Sequence, residues 1–188
     1  MEVSLSQTDE KRAAREAFHV AKLALFNVRL LWDLQQASQS SCDLTKLIEE
    51  RARQDHIELP VSLMHQSTFM QLGYVCIVWL WEVSKAEECA DQILAEAAGR
   101  FNFQSAIDSK SGERRIDTPA SVVRLVRNAI SHARVSTDGE HFTFSDQGRN
   151  EQAQTTVRLA WSEFAQLSEA ILFSVNSWLY ADSIGANA

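Results

Sequence analysis

The residues best suited to chemistry lie together from Arg124 to Arg134, in the stretch RLVRNAISHAR. It sets three arginines, an asparagine, a serine and a histidine among small and branched apolar residues. A guanidinium grips two oxygens of a phosphodiester at once, and an imidazole moves protons near neutrality. Placed on a helix at about 100° per residue, Arg127, Ser131, Arg124, Asn128 and His132 fall within an arc of roughly 140°. Val122, Val123, Leu125, Val126, Ala129, Ile130 and Ala133 take the remaining, packing side. Asn128 and His132 are four apart, so the amide comes within reach of the imidazole and can orient it. Arg127 and His132 differ by about 140° in direction and about 7.5 Å in rise, too far to touch but well placed to flank a phosphodiester. The plainer reading is that a histidine in a last helical turn simply suits the helix dipole while the arginines are solvated or ion-paired.

The element carrying this arc starts at Thr118-Pro119, a capping hydroxyl followed by proline at the first helical position, and spans about 119–133. Next, RVSTDGEHFTFSD alternates around Asp138-Gly139, so 135–137 and 141–145 should pair as a hairpin. TTVRLAW, 155–161, supplies a third strand across the polar turn DQGRNEQAQ, giving a β insertion over about 134–159. Helical spacing returns at Phe164, Leu167, Ile171, Phe173, Val175 and Trp178, a closing helix over about 162–182. Upstream, Phe18, Ala21, Leu25, Val28, Leu31 and Leu34 mark one long amphipathic helix from Thr8 to Gln39. SQSSCDLT ends it, and Asp43 caps a short helix to Arg53. Pro60 opens a second long helix to Ser84, and a third covers 86–98, closed by Gly99. The segment 101–117, with DSKSGERR, reads as a mobile charged loop. The expected fold is mainly α: an up-down helical bundle with a small antiparallel β-hairpin insertion before the last helix, as one domain over 1–188.

Composition narrows the function. With 188 residues and 45% hydrophobic content the chain can bury a core, but 18 Lys and Arg against 25 Asp and Glu leave a net charge of −7. A polyanion must therefore be met locally. Between Lys110 and Arg134 six cationic residues face two acidic ones, Glu113 and Asp117, and Arg114 and Arg115 are candidates for auxiliary RNA contacts. Cys42, Cys76 and Cys89 have neither disulfide-framework nor zinc spacing, so no metal or cofactor is expected and a reducing cytoplasm fits. The first residues lack the apolar core of a signal peptide. LGYVCIVWLW, 72–81, is too short to span a bilayer and reads as buried helix, so no membrane role is expected. His141 heads a strand beyond the arc and borders it in one reading, while Trp79, Trp81, Trp161 and Trp178 read as core or dimer packing.

Arg127-Asn128-Ala129-Ile130-Ser131-His132 resembles the signature of the HEPN superfamily, an arginine followed directly by a polar residue and separated from a histidine by four to six residues. Its placement late in the chain, before a hairpin and a closing helix, makes the sequence similar to plasmid-borne and defence-associated HEPN proteins from roughly Thr8 to Tyr180. The resemblance implies a metal-independent endoribonuclease of toxin-antitoxin or antiviral defence type, without cofactor. It implies a homodimer whose facing helices build one cleft from two arginines and two histidines. Arg127 would hold the scissile phosphate, His132 would act as general acid or base, and Asn128 would support the pair. Arg124, Ser131, Arg134, Arg114 and Arg115 would contact the RNA, whose 2′-hydroxyl attacks its own phosphate, a nucleophile DNA lacks. An antitoxin protein is a further partner the resemblance allows. Two other readings stand beside this one: a non-catalytic HEPN module that binds nucleotide, RNA or a protein, and a structural bundle in which Arg127 pairs with a carboxylate such as Glu82 or Glu169 and closes the cleft.

Overall fold

The computed structural model describes residues 3–86, 88–148 and 154–184. Helix α1 (Val3–Ser38), 36 residues long, buries Ala14, Ala17, Phe18, Ala21 and Leu25. A second row on the same helix, Leu23, Phe26 and Leu30, stays exposed. Helix α2 (Cys42–Gln54) is capped by Ser41, whose hydroxyl accepts from the Leu44 amide. Asp43, expected as the cap, instead lies in the first turn.

Pro60 does not open the next helix. It sits in a non-helical connection, and α3 (Gln66–Gly73) begins only after His65, whose ring accepts from the Ser67 amide. The rod continues through a π-helical stretch (Tyr74–Leu80) into α4 (Trp81–Ala86). Cys76, Ile77, Leu80 and Trp81 are buried there, but Tyr74 and Trp79, which the apolar run predicts to be buried, are exposed. Burial, with the negative charge of Glu169 adding to it, pushes the Cys76 thiol up to about 12.

Helix α5 (Ala90–Ala97) is shorter than expected, and the segment read as a mobile loop is built and anchored. Its first part is a helix, α6 (Phe103–Asp108), held by Phe101 and Phe103 edge to face at 5.0 Å and by buried Ala106 and Ile116. Its second part lies along a strand edge. Ser111 and Thr156 exchange backbone hydrogen bonds of 3.0 and 2.8 Å. Gly112 makes this approach possible, with φ +102 and space that a Cβ would bring to 2.6 Å from the Gln154 carbonyl.

After α7 (Pro119–Ser131) come β1 (Val135–Thr137), β2 (His141–Asp146) and β3 (Thr155–Ala160), an antiparallel sheet in the order β1-β2-β3. The polar turn expected between the last two lies partly outside the described residues. The β1–β2 turn is fixed by Gly139 at φ +94 and by Asp138. The Asp138 carboxylate accepts from the Glu140 and His141 amides and pairs with Arg158, and these contacts, the amides foremost, lower its pKa to about 2.

Strand alternation buries Phe142, Phe144, Val157 and Leu159 on one face. That face meets α8 (Trp161–Ile184) through Phe164, whose ring lies 5.2 Å from Phe142 and 5.0 Å from Phe144. Helix α8 is the central element, burying Phe164, Leu167, Ile171, Leu172, Val175 and Leu179. The fold is therefore mainly helical with a small sheet before the last helix, and no helix among the described residues is long and apolar enough to cross a membrane.

Candidate functional site

Helix α7 is fixed at both ends and along one side. Thr118 and Ser121 form a reciprocal cap: the Ser121 amide donates to the Thr118 hydroxyl at 3.2 Å and the Thr118 amide to the Ser121 hydroxyl at 3.0 Å. Val122, Val123, Leu125, Val126 and Ala129 are buried, which turns Arg124, Ser131 and His132 outward and leaves Arg127 and Asn128 half-buried. The helix stops at His132 because Ala133 adopts a left-handed conformation, φ +53. The Arg134 amide then donates to the Ala129 carbonyl at 2.8 Å and the Ala133 amide to that of Ile130 at 3.2 Å, the pattern of a Schellman stop. His132 is thus presented at the helix end, and its imidazole has no hydrogen-bond or ion-pair partner among the described residues.

Along the arc a continuous polar chain crosses the helix. The Arg127 guanidinium pairs with the Glu82 carboxylate on α4 and donates to the Asn128 side-chain carbonyl, from Nε at 3.1 Å. The amide nitrogen of Asn128 points the other way and donates to Asp146 Oδ2 at 2.8 Å. Arg114 Nη1 donates to the same oxygen at 2.7 Å, the Gln147 amide donates to Oδ1 at 3.0 Å, and Arg134 stands 3.6 Å from Oδ1. Asn128 therefore presents its acceptor end to a cation and its donor end to an anion. Burial would push the Asp146 carboxyl up, but the Asn128 and Arg114 hydrogen bonds and the Arg114 charge outweigh it and hold it below its ordinary value.

The model of the family described as HEPN pEK499 p136 matches residues 24–179. The chain belongs to this HEPN family. No curated protein and no solved structure matches it.

In this HEPN chain Asn128 does not orient His132, contrary to what their four-residue spacing suggests. Both ends of the Asn128 amide are engaged by Arg127 and Asp146, and the side chain turns across the helix rather than along it. Arg114 is not a solvated loop residue: its backbone is tied to Thr155 Oγ1 at 3.1 Å and its side chain, 22% exposed, is committed to Asp146. Arg115 extends into solvent and pairs with Asp117. Arg124 and Ser131 are exposed on the arc, and Arg134 is half-exposed beside it. Glu169, the other carboxylate considered for Arg127, lies 3.6 Å from Arg29 instead. His141 joins the Asp138–Arg158 cluster at the hairpin. Among the described residues no three His, Cys, Asp or Glu side chains are grouped to hold a metal ion.

Asp146 is the site residue that the sequence reading passes over. Its signal is the strand period: Phe142, Phe144 and Asp146 all point inward, and an acid on the buried face of a strand requires cationic partners.

Proposed function

We propose that this HEPN protein is a metal-independent endoribonuclease of toxin or phage-defence type, acting in the cytoplasm as a homodimer. The observation that carries the reading is the pairing on one helix arc of a guanidinium held in a fixed orientation with an imidazole left unengaged. Arg127 neutralises the scissile phosphate while Asn128, braced by Asp146, keeps it aimed. Two copies of α7 facing each other bring two such arcs to one cleft. One His132 then takes the proton of the attacking 2′-hydroxyl, and the other protonates the departing 5′ oxygen. The products are a 2′,3′-cyclic phosphate and a 5′-hydroxyl. Arg124, Ser131 and Arg134 border the cleft for backbone contacts, and a toxin role calls for an antitoxin protein as partner.

The test is RNA cleavage by the purified chain in EDTA, with product ends identified. Arg127→Ala and His132→Ala should each abolish cutting while melting temperature and dimer mass stay close to those of the parent. Inertness without metal, full activity in both variants, or a strictly monomeric chain would overturn the proposal.

The Arg127–Glu82 ion pair favours a second reading, in which the arc is a binding surface without turnover for nucleotide, RNA or a protein partner. Tight RNA binding with unchanged RNA length would select it.

A further inference from the structure

A cavity of about 490 Å³ opens beside the end of α7, between the start of the α3 rod and the first two strands. This is within the size range of small-ligand sites, ~300–1,000 Å³. Ile130 and Ala133 line it, which places it beside the C-terminal end of α7. Among the described residues no charged side chain lines the wall. Phe142, 2% exposed, and Met70 form apolar surface within it, and the Tyr74 ring lines it while 52% exposed. Gln66, Tyr74 and Ser136 also border the cavity, and their side chains have no hydrogen-bond partner among the described residues.

An uncharged wall with an open aromatic ring and unengaged amide and hydroxyl groups excludes a phosphate and suits a flat heterocycle with polar edges. Because the chain as a whole is acidic, with net charge −7, long-range attraction cannot supply much affinity for RNA, and stacking is the term left to supply it.

We propose that this cavity receives one nucleobase of a single-stranded RNA, stacked against Tyr74. The inference rests on the nuclease reading above and adds to it the recognition of an unpaired base.

Binding of short labelled single-stranded RNA homo-oligomers by the full chain, read by fluorescence anisotropy, tests it. Every ribose 2′-hydroxyl of the oligomers is replaced by 2′-O-methyl so that nothing is cut. Tyr74→Ala should weaken binding about 10-fold, Tyr74→Phe should keep most of it, and Ser136→Trp, which fills the cavity from its rim, should weaken it like Tyr74→Ala. Gln66→Ala should change which homo-oligomer binds best. Melting temperature and dimer mass are measured for every variant. Equal binding by Tyr74→Ala and the parent overturns the pocket, and if the parent still cuts RNA the nuclease reading survives. Weakened binding with no cleavage by the parent supports the pocket and removes the nuclease. Loss of the dimer in Tyr74→Ala or Ser136→Trp overturns the pocket by assigning the cavity to a subunit contact.

Discussion

Asp146→Asn tests the polar chain at its most buried link. The side chain is 7% exposed, and its four neighbours, Asn128, Arg114, Arg134 and the Gln147 amide, all present donors. An isosteric amide cannot satisfy them. With its nitrogen at the Oδ2 position it faces the donors of Asn128 and Arg114, and flipped it faces the Gln147 amide and Arg134. One partner of a buried ion pair removed typically costs ~3–5 kcal/mol. Arg114 and Arg134 are 22% and 41% exposed and recover some hydration, so the low end, about 3 kcal/mol, applies. For a chain of this size that lowers the melting temperature by about 6–12 °C.

The pH dependence follows from the depressed carboxyl. Its folded value lies below the unfolded value of ~3.9, so its contribution is complete above ~3.9 and is lost as pH falls through the folded value. Melting curves of the parent and Asp146→Asn should therefore lie apart at neutral pH and converge in acid. Identical melting at neutral pH, or a gap that persists unchanged in acid, would refute the assignment of Asp146 as an ionised hub. RNA cleavage by the folded variant should also fall, because Asn128 loses its anchor.

Glu82→Gln removes the carboxylate that competes with phosphate for Arg127. Glu82 is 43% exposed, so stability should change by less than ~1 kcal/mol, while RNA affinity measured by anisotropy should rise about 3–5-fold. A fall in affinity would instead make Glu82 a brace for the guanidinium. Ala133→Gly should raise the melting temperature by about 2–4 °C, since a left-handed alanine costs ~1 kcal/mol that glycine does not incur. Unchanged melting would mean that the helix stop carries no strain.

Local patterning carries most of the fold. The Thr118-Pro119 start, the hairpin around Asp138-Gly139 and the spacing of Phe164, Leu167 and Ile171 are each decided within a few residues, and the structure has them where the pattern puts them. The arc on α7 is legible for the same reason. What the pattern does not carry is contact across sequence distance. Arg114 and Asp146 are 32 residues apart and Asn128 and Asp146 are 18 apart, so nothing local announces that a charged loop will be tied down. Phe101 and Phe103 anchor α6 with too few apolar positions to show a period, and Ser41 rather than Asp43 takes the cap of α2, two capping residue types that local composition does not tell apart. Glu82 was foreseeable as a partner for Arg127 by charge, but its direction depends on a helix winding that no composition reveals.

That winding has a consequence for which groups meet. Each turn of a π-helix takes in one residue more than an α-turn, so the rod emerging at Trp81 has slipped in phase against the part that began at Gln66. Wound uniformly, the same residues would carry Glu82 around to a different azimuth and leave the Arg127 guanidinium with Asn128 but without a carboxylate partner. The charge state of the arc is thus set by how a neighbouring rod is coiled, one step removed from any residue on the arc itself.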